Sequence, residues 1–185
     1  MTNLYQGRPD LQTLTSFSGL SDEAFRNLLQ IAPHIKPHIP ALTDSFYACL
    51  QSDGHTASHV RGRVDQLKVT HRAWLCSLFD GNYGEEFVLQ QERIGRAHVA
   101  AKIPPLFVAA SMSFLRAAFT RQIEKAALEM GEHEGKYISA LLGLLDLCQY
   151  LIDRAYEEDR LDRLAGVTGM SRKLLENLIS LKPKG

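Results

Sequence analysis

The segment SALLGLLDLCQYLI, residues 139–152, is apolar around most of the circumference that it would have as an α-helix. A helix of this kind is stable only when it is covered on several sides. Such a segment is either the central helix of a monomer or a helix whose second face is covered by another subunit. Its composition favours the second arrangement, a homodimer in which the last two long helices pair with their copies across a two-fold axis.

The rest of the chain also carries helical signals, and no segment alternates apolar and polar residues in the manner of a strand. Prolines and glycines separate the periodic segments, with Pro104 and Pro105 at the start of one helix and Gly131 at its end. The sequence therefore predicts an all-α fold. Its helices are predicted at 10–17, from 21 past 31, and at 40–51, 58–80, 85–102, 104–130, 133–164 and 170–181.

Charge and cysteine content restrict the possible functions. The 185 residues include 21 basic and 21 acidic side chains, so no net positive charge favours nucleic acid. The three cysteines form no CxxC pair, which argues against a zinc ribbon or a disulfide framework and favours a reducing compartment. No signal peptide or membrane span is evident. A cytoplasmic location is predicted.

Two histidines lie on apolar helical faces. In the 58–80 helix the inward positions at steps of three and four are Val64, Leu67, His71, Trp74, Leu75 and Leu78. In the 85–102 helix the corresponding face carries Ile94, Ala97, His98 and Ala101. A buried neutral imidazole needs a partner for each nitrogen, and iron is one such partner. A haem between these faces satisfies that need, but a histidine hydrogen-bonded within a haem-free core satisfies it equally.

Three segments together resemble the sensor globin of globin-coupled sensors and the related protoglobins. They are PALTDSFYACL, VDQLKVTHRAWLCSLFDGNY and RIGRAHVAAKIPPLFV, and the resemblance extends over about 10–160. It implies a globin fold, a three-on-three helical sandwich, with an extra N-terminal helix and long terminal helices that form a dimer bundle. It also implies haem b as cofactor, with His98 of the IGxxHxxxxIPP motif as the proximal ligand.

The resemblance extends to the opposite wall of the pocket. Tyr47 of the Phe46–Tyr47 pair is expected to donate a hydrogen bond to bound gas, and Leu67 and Thr70 to flank it. The other expected haem-lining residues are Trp74, Ile94, Ala97, Ala101 and Phe107. One departure from the family pattern is Phe107-Val108, where a tyrosine is often found. Another is His71, which is a possible distal iron ligand; bis-histidyl iron and an open distal site both remain possible.

The resemblance further implies a sensor of a diatomic gas (O2, CO or NO) or of redox state. Residues 1–165 are predicted to form the sensor globin domain, and 166–185 a linker towards a C-terminal output domain. No catalysis is expected from the sensor domain itself. The alternatives are a stand-alone protoglobin-like haem enzyme with peroxidase or dioxygenase activity, and a haem-free helical interaction module.

Overall fold

A computed structural model describes residues 5–181, and all regular secondary structure in that range is helical. A 3-10 turn, Lys36–His38, joins the second and third helices. The helices are α1 Pro9–Ser18, α2 Asp22–Ile35, α3 Ile39–Ser52, α4 Ala57–Val60, α5 Val64–Ser77, α6 Glu85–Ala100, α7 Pro105–Met130, α8 Gly135–Thr168 and α9 Arg172–Ser180.

The local signals that predicted the helix ends operate in the structure. The Ser21 hydroxyl accepts a hydrogen bond from the Ala24 amide at 3.3 Å and caps α2. Pro105 occupies the first turn of α7, and Gly131 ends that helix in the left-handed conformation. The boundaries of α1, α3 and α7 therefore agree closely with prediction. Helix α8 continues to Thr168, past the predicted domain boundary at 165.

The single helix predicted at 58–80 is wrong. The chain forms α4, turns, and begins α5 only at Val64. Gly62 lies at φ 75°, a left-handed conformation that interrupts helical bonding, and the Arg63 amide closes a turn on the Val60 carbonyl at 3.1 Å. The apolar periodicity continues across this turn because both short helices face the same core, and so periodicity alone did not reveal the break.

Helix α8 is the centre of the fold. It packs against α6, α2, α7 and α1, and Leu144, Leu147 and Leu151 have no exposed surface. Other helices of the same chain therefore cover its apolar circumference. The apolar circumference of α8 favours a second subunit that covers this helix. That reasoning is wrong, because the monomer already buries the helix. The homodimer stays a prediction that needs other support.

A second, smaller apolar cluster lies apart from the main core. It consists of the buried residues Phe46, Tyr47 and Val60, with Leu50, Val64, Leu67 and Phe114 packed around them. We call it the Phe46 cluster. It joins α3, α4, α5 and α7, and Phe114 also packs against the main core.

A hydrogen bond and an ion pair at Asp10 connect the N-terminal helix α1 to α8. The Asp10 carboxylate accepts hydrogen bonds from the Tyr150 hydroxyl at 3.1 Å and from the Arg154 guanidinium at 2.9 Å. This confirms an additional helix ahead of the main helical body. In residues 5–181, no helix is both long enough and apolar enough to span a membrane.

Candidate functional site

His98 lies in the last turn of α6, and its ring is oriented by its own helix. Its Nδ1 lies 2.8 Å from the carbonyl oxygen of Ile94, four residues earlier. A carbonyl oxygen only accepts, so Nδ1 carries a proton and donates the hydrogen bond. In the tautomer whose single ring proton is on Nδ1, the lone pair is on Nε2. This is the tautomer that a metal-binding histidine has when its second nitrogen is held by a backbone carbonyl.

The chain reverses immediately after His98. The Ile103 amide donates to the His98 carbonyl at 3.0 Å, and the Lys102 amide donates to the Val99 carbonyl at 2.9 Å. Lys102 has φ 54°, which places it in the left-handed region. Together these are the two hydrogen bonds and the left-handed residue of a Schellman motif. The helix therefore ends one turn past the imidazole, and the Pro104–Pro105 pair directs the chain into α7.

His71 on α5 is surrounded by aromatic side chains. The Phe46 ring stacks on the imidazole, with centroids 4.7 Å apart and planes 12° from parallel. Tyr47 meets it edge-on at 5.7 Å, and Trp74 lies 5.8 Å away. Its Nδ1 lies 3.2 Å from the hydroxyl of Thr43, which is fully buried. Tertiary contacts, and not its own helix, therefore orient this ring.

Burial determines the charge on these groups. It lowers the pKa of His71 from 6.5 to about 4, so the imidazole is neutral at physiological pH and can bind a metal. Burial also raises the pKa of Tyr47 to about 12, against a smaller opposing effect of Arg63. The Tyr47 phenol therefore keeps its proton and is available as a hydrogen-bond donor.

One side-chain hydrogen bond joins α5 and α6. The Trp74 indole Nε1 donates to the Gln91 Oε1 at 2.9 Å, and the Gln91 side chain is fully buried. Within residues 5–181, α5 and α6 are not among the helix pairs that pack closely along their lengths. Residues 78–84 connect α5 to α6, and the Trp74–Gln91 bond lies near this connection. His71 and His98 lie further from the connection than the bond does, each on its own helix. The two histidines therefore lie on the parts of α5 and α6 that this hydrogen bond does not hold together.

The structure brings most of the predicted pocket residues to these two walls. Phe46, Tyr47 and Trp74 contact His71, and Leu67 belongs to the Phe46 cluster. Ile94 packs against the main core, and its carbonyl oxygen accepts the hydrogen bond from the His98 Nδ1. Phe107 meets the ring of His59 on α4 edge-on at 5.5 Å.

Three predicted lining residues are less closely associated with this site. The Thr70 side chain is exposed and its hydroxyl donates to the Leu67 carbonyl of the same helix at 3.0 Å. Ala97 and Ala101 are exposed as well. Both lie on the exposed surface of α6 and of the turn that follows it.

Sequence analysis did not identify Thr43, Gln91 or Phe114. Thr43 lies three and four residues before Phe46 and Tyr47, so helical spacing alone places it on the same face of α3. That signal was present in the sequence. Gln91 and Phe114 gave none, because their roles depend on which helices meet.

The residues present fit a haem. One wall supplies the His98 imidazole, whose Nδ1 is hydrogen-bonded to the Ile94 carbonyl, and the other supplies the neutral His71 imidazole among aromatic rings. Flat apolar walls and imidazole nitrogen are what a porphyrin iron requires. The Ile94 carbonyl provides the hydrogen bond that orients the ligating ring.

Comparisons with known proteins agree with this geometry. The family described as Protoglobin matches residues 8–162. The heme-based aerotactic transducer HemAT of Halobacterium salinarum is 26% identical over 131 residues, which are 69% of this chain and 27% of the transducer. The chain thus spans about a quarter of that relative's length.

Solved structures show the same fold. The globin domain of the Geobacter sulfurreducens globin-coupled sensor superposes with a TM-score of 0.70 at 23% identity, covering 79% of this chain and 97% of that one. The ferric globin domain of E. coli DosC gives 0.63 at 17% identity, with 78% and 99% covered. The predicted all-α globin fold is therefore confirmed, and the predicted haem cofactor agrees with it. Since the family match extends over most of the sequence, the chain belongs to the protoglobin family.

Proposed function

We propose that the chain is a haem-b-binding sensor globin that detects a diatomic gas, O2, CO or NO, or the redox state of the iron. The observation that carries this proposal is the His98 imidazole, whose Nδ1 is hydrogen-bonded to the Ile94 carbonyl at 2.8 Å so that Nε2 is free to bind iron. Family membership and the similarity to a heme-based aerotactic transducer support the same cofactor.

His98 would hold the group as its proximal ligand, with Phe46, Ile94 and Phe107 as apolar walls and Ala97 and Ala101 leaving room beside it. When bound, haem b supplies an iron that changes oxidation state and coordinates a diatomic gas. The protein's part is to keep water out of the pocket, which the apolar Phe46 cluster favours, and to orient the imidazole, which the hydrogen bond to Ile94 favours.

We further propose His71 as the distal iron ligand. Its neutral state and its position against Phe46 and Tyr47 support this role. If Nδ1 donates to the Thr43 hydroxyl, Nε2 is free on this ring too. Binding of His71 would compete with a gas and would lower the apparent affinity for it. The Tyr47 phenol would be the nearby hydrogen-bond donor for the gas, with Leu67 as its apolar neighbour and Thr70 one helical turn further along α5.

Signal transmission completes the proposal. We assign 1–165 to the sensor domain and 166–185 to a linker towards a C-terminal output domain, consistent with a transducer relative of which the match covers 27%. A homodimer through α7 and α8 is supported by a surface groove between them, lined by Pro105, Leu106, Ala109, Gln149, Asp153, Tyr156, Glu157 and Arg160. Leu106 at its edge is 71% exposed. The groove combines apolar and charged side chains, and a second subunit would cover the exposed Leu106.

Absorption spectra of the hemin-reconstituted protein test the proposal, with wild type beside His98→Ala and His71→Ala. We expect a Soret band and low-spin, six-coordinate spectra for wild type. His71→Ala is expected to become high-spin and to keep its haem, because only the distal ligand is lost. His98→Ala is expected to lose its original coordination.

Each outcome contradicts a different part of the proposal. A colourless protein after reconstitution rules out haem binding and favours the haem-free interaction module. Unchanged spectra in His71→Ala rule out bis-histidyl iron, and unchanged coordination in His98→Ala rules out the proximal assignment. A haem enzyme with peroxidase or dioxygenase activity has less support, since the side chains in contact with His71 in the described part of the chain are Thr43, Phe46, Tyr47 and Trp74 and none is a carboxylate.

A further inference from the structure

Helix α6, which carries His98, contacts the backbone of α8 at Gly95. A Cβ atom at Gly95 would lie 2.7 Å from the Ala155 Cβ and 3.0 Å from the Ile152 carbonyl oxygen. Only the Ala155 methyl group lies between the two backbones at this crossing, one turn before the imidazole. Close contact of this kind lets one helix move only together with the other.

A second connection joins α8 to the chain just after His98. The hydroxyl of Tyr156, the residue after Ala155, donates to the Ile103 carbonyl at 2.8 Å. Burial, followed by the nearby Asp153, raises the pKa of Tyr156 to about 12. Its hydroxyl is thus a proton donor throughout the physiological range.

These contacts form a short series of hydrogen bonds from the imidazole-bearing residue to α8. The His98 carbonyl accepts from the Ile103 amide at 3.0 Å, and the Ile103 carbonyl accepts from Tyr156. Lys102, between them, is held left-handed at φ 54°. A side chain in this region is strained, which surrounding contacts must offset, so the segment has one well-defined conformation.

We propose that Tyr156 is a positioning residue that transmits displacement of His98 to helix α8. The inference rests on the proposed function, because it requires a ligand-linked movement at His98. Helix α8 continues for 12 residues beyond Tyr156, to Thr168, which is about 18 Å of helix. A rotation or shift imposed at Tyr156 therefore reaches the proposed linker. Tyr156 also lines the groove between α7 and α8, so the same movement alters the proposed dimer surface.

The test uses Tyr156→Phe, which removes the hydroxyl and keeps the ring. Its matched control is Tyr150→Phe, on the same helix, whose hydroxyl bonds Asp10 of α1 and not the segment after His98. Hydrogen exchange of the 157–168 amides is measured in the ferrous, haem-loaded protein with and without carbon monoxide. In wild type and Tyr150→Phe we expect carbon monoxide to change these rates by about fivefold. In Tyr156→Phe less than half of that change is expected to remain.

A full carbon monoxide effect in Tyr156→Phe overturns the proposal, and so does an equal loss in both variants. Haem binding without any change at 157–168 in wild type also overturns it, while leaving the cofactor assignment intact. If the protein binds no haem, the proposed function fails and the connection itself is tested in the haem-free protein. There, Tyr156→Phe is expected to accelerate exchange of the Ile103 amide more than Tyr150→Phe does; equal rates show that the hydrogen bond does not hold this segment.

Discussion

The two histidines of this molecule are held in opposite ways. His98 donates Nδ1–H to the carbonyl of Ile94 in its own helix, so its orientation depends on an interaction between residues four apart. His71 is oriented by Thr43 and Phe46 on a different helix, 28 and 25 residues away in sequence. One ring is therefore positioned by local structure and the other by tertiary packing.

Of the two positions, that of His98 is robust and that of His71 is adjustable. His98 is oriented as soon as helix α6 forms, because its hydrogen-bond partner Ile94 is in the same helix. His71 is correctly placed only while α3 and α5 remain packed together. The proposed distal role of His71 requires a ring that can leave its position, which contacts between separate helices permit. The proposed proximal role of His98 requires a firm support, and α6 contacts the α8 backbone closely at Gly95.

Burial of His71 should have the greatest influence on the stability of the haem-free protein. Because its folded pKa of about 4 lies below the ordinary 6.5, the unfolded chain binds a proton more readily than the folded one. Stability is therefore complete above about pH 6.5 and is lost as the pH falls towards 4. At pH 4.5 the loss from this group is about 2 to 3 kcal/mol.

Urea unfolding of wild type and His71→Leu at pH 7 and pH 4.5 measures this loss. Between the two pH values, the free energy of unfolding is expected to fall by about 2 to 3 kcal/mol more in the wild type than in the variant. Equal losses in both proteins would show that His71 is accessible to water in solution and that the aromatic enclosure is not maintained.

A somewhat smaller change is expected at the rigid crossing that supports His98. Gly95→Ala places a methyl group against Ala155 and the Ile152 backbone, where it has no room. We expect a loss of about 2 kcal/mol in the free energy of unfolding, since overpacking against backbone cannot be relieved by a rotamer change. Thermal or urea denaturation of the haem-free protein provides the measurement.

Gly166→Ala is the matched control, because a Cβ there meets nothing within 4 Å and the residue lies inside α8. It is expected to stabilise by about 0.5–1 kcal/mol through the higher helix propensity of alanine. If the two variants behave alike, the close crossing of α6 and α8 does not contribute to stability.

The mildest substitution removes one contact from the adjustable ring. Thr43→Val removes the hydroxyl beside the His71 Nδ1 and keeps a similar shape. Loss of a hydrogen bond that orients a metal-binding histidine weakens coordination by about tenfold or more. In the ferric haem-loaded protein, the absorption spectrum should therefore shift from low-spin towards high-spin.

Thr70→Val is the matched control on α5, since the Thr70 hydroxyl donates to the Leu67 carbonyl of its own helix and the side chain is exposed. Its spectrum should remain that of wild type. A high-spin shift of the same size in both variants would assign the effect to general loosening of α5 and not to the Thr43 hydroxyl.

Prediction from sequence succeeded where the physical signal was local. Proline and glycine positions indicated the ends of α7. The IGxxHxxxxIPP motif singled out His98, whose role as an iron ligand stays a prediction. The break between α4 and α5 was missed, because an apolar face continues across Gly62. The inferred reason for a dimer was wrong, because composition shows how much of α8 is apolar but not which helices cover it.

The helical segments, the family resemblance and the imidazole of His98 could all be read from the amino-acid sequence, since each depends on residues within a few positions of one another. The folded structure was needed to show that Thr43 and Phe46 hold His71, that Gln91 bonds Trp74, and that Tyr156 reaches Ile103. These contacts join residues 17 to 53 positions apart. Their formation depends on how whole helices cross, which the packing of the complete core controls.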